Sequence, residues 1–122
     1  MTPFGEKMRI LRKAKGISQA AMAAELGVSP AYLSALEHGK RGSPAWPFLQ
    51  KIIHYFGLVW DDAEELRELA EFSKPKVNID TSGLNPKATR AVNLLSTRIG
   101  RLDERALDQL LALIGDRPSR GQ

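Results

Sequence analysis

The chain contains no cysteine in its 122 residues. Disulfide frameworks and thiolate metal sites, including those of zinc fingers, are therefore excluded, and a reducing cytoplasm is the expected compartment. No apolar run approaches the ~20 residues of a membrane-spanning helix. The N-terminal "MTPFGEKMRILRKAKG" carries charges throughout, unlike a signal peptide. We therefore expect a cytoplasmic protein without a membrane partner.

Positive charge is concentrated in the first half of the chain. Residues 1–60 carry eight basic and three acidic side chains, whereas residues 61–122 carry ten basic and eleven acidic ones. The two halves therefore have net charges of +5 and −1, and the whole chain has +4. A basic half indicates that a polyanion, if one binds, binds there. A merely solubilising basic surface is the alternative at this point.

Apolar residues recur at helical spacing along nearly the whole chain, which predicts an all-α fold. Five helices are predicted in residues 1–73, separated by glycines and begun by serine or proline signals. The positions expected to face the core are Phe4, Met8, Leu11, Ala14, Met22, Ala23, Leu26, Val28, Leu33, Leu36, Leu49, Ile53 and Phe56. Trp46 and Trp60 are expected as further core or staple residues.

The composition changes after residue 73. Residues 74–85 are rich in proline, glycine and turn formers, so we interpret them as a linker with a short extended piece around Val77 and Ile79. Two amphipathic helices follow, and the connection between them has the length of an antiparallel helical hairpin. Residues 86–115 are expected to form this C-terminal helical hairpin, and residues 116–122 a flexible tail. The hairpin is predicted to dimerise, with packing on its own N-terminal domain as the alternative.

A longer stretch of the sequence carries a specific resemblance. "RILRKAKGISQAAMAAELGVSPAYLSALEHGKRG" contains the elements G-I-S-Q, A-x-x-L-G-V-S and Y-L-S-x-L-E-x-G-x-R. With these elements the chain resembles, over roughly residues 4–73, the Cro/cI-type (Xre) helix-turn-helix regulators of bacteria and phages. The resemblance implies a five-helix, lambda repressor-like DNA-binding domain in residues 1–73. It also implies a transcriptional repressor that binds a palindromic operator on double-stranded DNA as a homodimer.

The same resemblance assigns roles to individual residues. An ion pair between Arg12 and Glu37 is expected to tie the recognition helix to the scaffold. Gln19, in the first turn of the second helix, is expected to face a phosphate together with free backbone N–H groups. The full set of expected DNA contacts is Ser18, Gln19, Ser29, Pro30, Ala31, Tyr32, Ser34, Ala35, His38, Lys40 and Arg41.

The recognition helix departs from the family pattern in its polar residues. Residues 29–37 contain no Arg, Lys, Asn or Gln, the side chains that usually pair with base edges. Direct hydrogen-bond readout should therefore be sparse. We expect contacts from Pro30, Ala31 and Ala35 to thymine methyl groups, hydroxyl contacts from serine or tyrosine, and sensitivity to DNA shape. Lys40 and Arg41 should contact the sugar–phosphate backbone.

Other function classes remain open or are disfavoured. The antitoxin of a toxin–antitoxin pair and a protein- or RNA-binding adaptor are alternatives, and either would bring a further partner. No enzyme is expected, because no catalytic pair or nucleophile motif is present. No cofactor or metal is expected either: a solvated His38 and a partly packed His54 are too far apart in sequence to suggest a metal site.

Overall fold

The computed structural model describes residues 1–40 and 42–115, and these residues form seven α-helices and one 3-10 turn without any strand. The predicted all-α class is confirmed. The helices are α1 (Pro3–Lys15), α2 (Gln19–Leu26), α3 (Pro30–Glu37), α4 (Trp46–Tyr55), α5 (Trp60–Glu71), α6 (Pro86–Arg98) and α7 (Glu104–Leu113), with the 3-10 turn at Ile99–Arg101. None of these helices is long and apolar enough to cross a membrane. The tail expected in residues 116–122 lies outside the described residues.

The first five helices enclose an apolar core, and they belong to a compact unit that spans Met1–Val77. Within it α1 packs against α3 and α5, α2 packs against α3 and α4, and α4 packs against α5. The buried apolar residues are Phe4, Met8, Met22, Ala23, Leu26, Leu33, Leu36, Leu49, Ile52, Ile53, Phe56, Ala63, Leu66 and Ala70. The prediction for Ala14 is wrong, because the three-residue step beyond Leu11 turns it toward solvent.

The end of α5 is tied to the start of α1. The backbone N–H of Phe4 donates to Oγ of Ser73 at 2.9 Å, and this hydroxyl donates to the carbonyl of Leu69 at 2.5 Å. Ser43 donates to the carbonyl of Ala70 at 2.6 Å. The first N–H groups of a helix have no partner within the helix. In α1, Ser73 accepts from one of these groups, that of Phe4, although the two residues are 69 positions apart in the sequence. Ser73 therefore belongs to the folded unit.

Both tryptophans lie at the surface, so the prediction that they belong to the core is wrong. Trp46 is 59% exposed and Trp60 is 88% exposed. Each is the first residue of its helix, and helical side chains lean toward the N-terminus, so these two rings project beyond the packed turn. The ring of Trp46 lies near Arg67, with 5.8 Å between the ring centroid and the guanidinium carbon. The backbone of Trp60 is in the left-handed region, with φ of 52°.

The segment between the two groups of helices has no regular structure. Val77 and Ile79 are 70% and 59% exposed, and the residues around them pair with no strand within the described part of the chain. The backbone N–H of Ser82 donates to the Asp80 carboxylate at 2.9 Å. Hydrogen bonds from the Ser82 side chain and backbone lower the pKa of Asp80.

The second compact unit begins at Asn78 and contains α6, the 3-10 turn and α7. Both α-helices begin with a side-chain cap: Asn85 accepts from the N–H of Lys87 and Asp103 accepts from the N–H of Ala106, both at 2.8 Å. None of the residues from 78 to 115 is buried. The most exposed large apolar side chains of its helices and helix ends are Leu94, Ile99, Leu111, Leu113 and Ile114.

The two predicted C-terminal helices are present with a short connection between them, and within the described residues the 3-10 turn contacts α6. Their pairing as a hairpin stays a prediction. Leu102 and Asp103 are extended, with ψ of 130° and 175°. Along the apolar stripes of these helices, Val92, Leu95, Leu107 and Leu110 are half-buried, whereas Ile99, Leu111 and Ile114 remain exposed.

Candidate nucleic-acid interface

A tight turn joins α2 to α3. Gly27 has φ of 74°, a left-handed conformation that glycine adopts without strain. Ala23, which has no exposed surface, allows the two helices to approach closely. Oγ of Ser29 then accepts a hydrogen bond from the N–H of Tyr32 at 3.0 Å, and Pro30 occupies the first helical position. The local signals of the sequence thus set the start of α3.

The third helix has one buried face and one open face. Leu33, Leu36 and Glu37 are at most 1% exposed and point into the domain. The other residues are those that the sequence assigned to DNA: the exposed Pro30, Ala31 and His38, and the half-buried Tyr32, Ser34 and Ala35. The open face therefore offers small apolar groups, a hydroxyl and an imidazole. Its lack of long polar side chains lets another surface approach the helix closely.

Two of the expected contact residues also cap helices. Oγ of Ser18 accepts from the N–H of Ala21 at 3.0 Å, as Oγ of Ser29 does for α3. A hydroxyl that accepts in this way keeps its own proton for donation. Ser18 and Ser29 are exposed, so this proton is accessible at the start of each helix.

Tyr32 makes a contact that the sequence did not predict. Its ring packs edge-on against Phe48 of α4, with ring centroids 5.8 Å apart and an interplanar angle of 78°. Edge-to-face pairs of this kind contribute about 0.5–1.5 kcal/mol beyond the burial of apolar area. The contact holds Tyr32 at the margin of the open face of α3.

A buried polar network anchors the end of α3. Nη2 of Arg12 donates to both carboxylate oxygens of Glu37, at 2.8 and 3.0 Å. The two side chains are 11% and 2% exposed, so the ion pair is shielded from water. Nε2 of Gln19 donates to the same carboxylate at 3.2 Å. The Arg12–Glu37 pair is the one that the resemblance implied, whereas the contact of Gln19 is additional.

The role of Gln19 is therefore more constrained than the sequence suggested. One amide N–H is directed to Glu37, and the side chain is half-buried. The remaining amide N–H and the backbone N–H groups at the start of α2 are the donors left for a phosphate. Glu37 thus links the end of α3 to the N-terminus of α2.

The backbone of α1 also holds α3, through residues that the sequence analysis missed. Gly5 lies so close to α3 that a Cβ added to it would be 1.9 Å from the carbonyl oxygen of Glu37. The N–H of Thr2 donates to the same carbonyl at 3.2 Å. A glycine inside an amphipathic helix was the available signal, since it costs stability unless close packing requires it.

The two residues expected to contact the sugar–phosphate backbone, Lys40 and Arg41, follow α3 in the sequence. Lys40 is exposed, and its N–H donates to the carbonyl of Ala35 at 2.9 Å, which fixes the chain as it leaves the helix. Arg41, the other predicted contact, lies outside the described residues. Lys15, by contrast, donates to the carbonyl of Phe56 at 3.3 Å.

The two histidines occupy different surfaces. His38 caps the C-terminus of α3, with Nδ1 2.8 Å from the carbonyl oxygen of Ser34. His54 is exposed on α4, which corrects the expectation that it is partly packed. No group of three or more possible metal-binding His, Asp or Glu side chains occurs in the part of the chain that the structure describes.

Two short helices, joined by a glycine turn and anchored by a buried face of the second, define a helix-turn-helix unit. Residues 3–69 match the family model described as a helix-turn-helix domain. Because this match covers more than half of the 122 residues, the chain belongs to the helix-turn-helix domain family. The resemblance identified in the sequence is confirmed.

Three regulators of Bacillus subtilis (strain 168) are similar to this chain. The uncharacterised HTH-type transcriptional regulator RghRB is 30% identical over 82 residues, which cover 58% of this chain and 59% of RghRB. The HTH-type transcriptional repressor RghR is 35% identical over 80 residues, covering 62% and 58% of the respective chains. The HTH-type transcriptional regulator SlrR is 44% identical over 49 residues, covering 40% and 32%.

The chain thus spans less than two thirds of the length of each of these relatives. No solved structure matches the chain.

Proposed function

We propose that this chain is a sequence-specific DNA-binding transcriptional regulator and that it acts as a repressor. The observation that carries the proposal is the construction of α3. Its buried face is fixed by Leu33, Leu36 and the Glu37 ion pair, and its opposite face is open and smooth. A helix presented in this way fits the major groove of B-DNA. The names of the three relatives, one of which is a repressor, support the same function.

In the proposed complex, phosphate contacts flank the recognition helix. The accessible hydroxyl of Ser18 and the free N–H groups at the start of α2 meet one phosphate. Lys40, and Arg41 beyond it, meet the backbone where the chain leaves α3. These contacts hold the register of the protein on the duplex without reading its sequence.

Base recognition in this complex depends on the small side chains of α3. Pro30, Ala31 and Ala35 lack hydrogen-bonding groups, so they discriminate by apolar contact with the C5-methyl group of thymine. One buried methyl group contributes about 0.8 kcal/mol, or roughly a fourfold change in affinity. Replacing a contacted thymine with uracil should weaken binding by this factor. An operator whose thymines all tolerate the replacement would contradict this mode of readout.

The palindromic operator and the homodimer are part of the proposal. Residues 78–115 contain no buried side chain, and α6 and α7 leave apolar residues such as Leu111 and Ile114 open. Pairing these stripes with those of a second chain buries them around a two-fold axis. A symmetric dimer sets two recognition helices about 34 Å apart, which is one turn of DNA.

Selection of duplexes from a random pool tests the function directly. We expect enrichment of a palindrome whose thymine-containing half-sites lie about one helical turn apart. Ala31→Glu adds a carboxylate to the open face of α3 and should weaken binding to the enriched duplex by at least about a hundredfold. Ala14→Glu makes the same chemical change on the exposed side of α1 and serves as the control. Failure of the pool to enrich any sequence, or equal effects of the two variants, would contradict the proposal.

A further inference from the structure

The ring of His38 has a defined hydrogen-bonding pattern. Nδ1 lies 2.8 Å from the carbonyl oxygen of Ser34, and a carbonyl oxygen only accepts hydrogen bonds. Nδ1 therefore carries a proton. A neutral imidazole carries only one N–H proton. When this proton is on Nδ1, Nε2 has none and can only accept a hydrogen bond. Protonation of the ring converts Nε2 into a donor and gives the side chain a positive charge.

The position of His38 determines which of these forms suits DNA. His38 follows α3 directly and precedes Lys40 by two residues, at the end of the helix opposite Pro30. The N-terminal residues of a recognition helix approach base edges, while the chain beyond its C-terminus meets the sugar–phosphate backbone. A phosphate oxygen accepts hydrogen bonds and carries negative charge. The neutral His38 ring therefore opposes such a contact, and the imidazolium supplies both the donor and the charge.

The protein leaves His38 without an ion-pair partner in the described part of the chain. Among the described residues, the titratable and charged groups on α3, on the helices that contact it and in the following loop are Met1 (α-amino), Glu6, Lys7, Arg9, Arg12, Lys13, Lys15, Glu25, Tyr32, Glu37, Lys40, Lys51, His54 and Tyr55. Glu37, the nearest carboxylate in sequence, is buried and bound by Arg12 and Gln19. Nε2 of the protonated ring is therefore available to donate to an external anion.

We propose that DNA binding takes up a proton at His38, whose imidazolium donates from Nε2 to a backbone phosphate. This inference rests on the proposed DNA-binding function. Because each protomer in the complex holds one proton more than in the free protein, affinity rises as pH falls and is lost as pH rises. Imidazoles exchange protons between about pH 5 and 8, so the contact makes operator affinity sensitive to pH within the physiological range.

The chain provides a matched control for this proton, because it contains two histidines in all. Binding of a labelled duplex from the selection is measured by fluorescence anisotropy at about pH 6 and about pH 8, at constant salt. The wild-type chain should bind about three- to tenfold more tightly at the lower pH. His38→Gln keeps a polar side chain without a titrating group and should abolish this difference. His54→Gln, on the exposed surface of α4, should retain it.

Salt dependence and the free protein provide two further readouts. The wild-type salt slope should be about one unit per protomer steeper at the lower pH, because one more phosphate contact in each protomer releases one more counterion. In the free protein, long-range ¹H–¹⁵N NMR should detect the proton of the neutral His38 ring on Nδ1.

Several outcomes would overturn the inference. These are a proton on Nε2 of the neutral ring, an affinity that rises with pH, or an equal pH dependence in wild type and His38→Gln. In each of these cases DNA binding itself survives as a function. If the wild-type chain binds no duplex at either pH, the proposed function fails and the inference fails with it.

Discussion

Removing one side of the Arg12–Glu37 ion pair should destabilise the N-terminal unit strongly. The substitution Arg12→Met keeps an unbranched apolar stem but removes the guanidinium group, so the Glu37 carboxylate, 2% exposed, is left without its cation. An uncompensated buried charge typically costs about 3–5 kcal/mol. Gln19 still donates to this carboxylate at 3.2 Å, and Arg12 is 11% exposed rather than fully buried. We therefore expect the lower end of the range, a loss of about 3 kcal/mol in the free energy of unfolding.

The double substitution Arg12→Met with Glu37→Leu should recover most of this loss. It removes both charges and fills the space with apolar atoms, and such replacements of buried pairs are often neutral or stabilising. Nε of Arg12 is already buried without a hydrogen-bond partner, which reduces the net stability that the pair provides. The double variant should therefore lie within about 1 kcal/mol of the wild type.

Urea unfolding followed by circular dichroism measures both changes. Lys7→Met is the control. Lys7 lies on α1, as Arg12 does, and pairs with Glu65 of α5 at 3.5 Å with side chains that are 29% and 18% exposed. Water screens this pair more than the Arg12–Glu37 pair, so its loss should cost at most about 1 kcal/mol. A loss below about 1 kcal/mol for Arg12→Met, or a double variant that is no more stable than the single one, would refute the reasoning from burial.

Three further predictions address packing, assembly and anchoring. Gly5→Ala should lower the free energy of unfolding by at least about 3 kcal/mol in the same assay, because the added Cβ would lie 1.9 Å from the Glu37 carbonyl oxygen. Gly100→Ala is the control: a Cβ at Gly100 meets open space, so the free energy of unfolding should change by less than about 0.5 kcal/mol. Truncation after Val77 should yield a helical monomer in light scattering with weakened operator binding, and a dimer of unchanged affinity would contradict this. Lys40→Ala should weaken binding similarly on all duplexes and reduce the salt slope by about one unit, whereas a loss confined to one operator would argue against a phosphate contact.

The helices of the N-terminal unit were predictable because their signals are local. Ser18 and Ser29 each cap a helix by accepting from the N–H three residues later, and Gly27 forms the turn through its own left-handed φ. The apolar spacing of Leu33 and Leu36 identifies the buried face of α3 from helical geometry alone. Such features need no knowledge of distant neighbours, and the sequence contains them in full.

Features that depend on distant neighbours were predicted less well. The amide of Gln19 meets Glu37 across 18 positions, and nothing in the local pattern distinguishes this contact from exposure to solvent. Trp46 and Trp60 are apolar by composition, yet their positions at helix starts direct them outward. The close approach at Gly5 likewise follows from how α1 crosses α3 rather than from helix propensity.

In the proposed complex, the chemistry of α3 links these buried contacts to DNA recognition. Long polar side chains reach base edges even when a helix shifts, but side chains as short as those of Ala31 and Ala35 should discriminate only where the backbone itself lies close to the bases. A gap of 0.5–1 Å forfeits about a quarter to a half of a dispersion contact. Sequence preference in the proposed complex therefore depends on how accurately Glu37 and Gly5 hold the helix. A substitution in this buried network should relax discrimination among thymine-containing sites before it abolishes the sequence-independent contacts of Lys40 with phosphate.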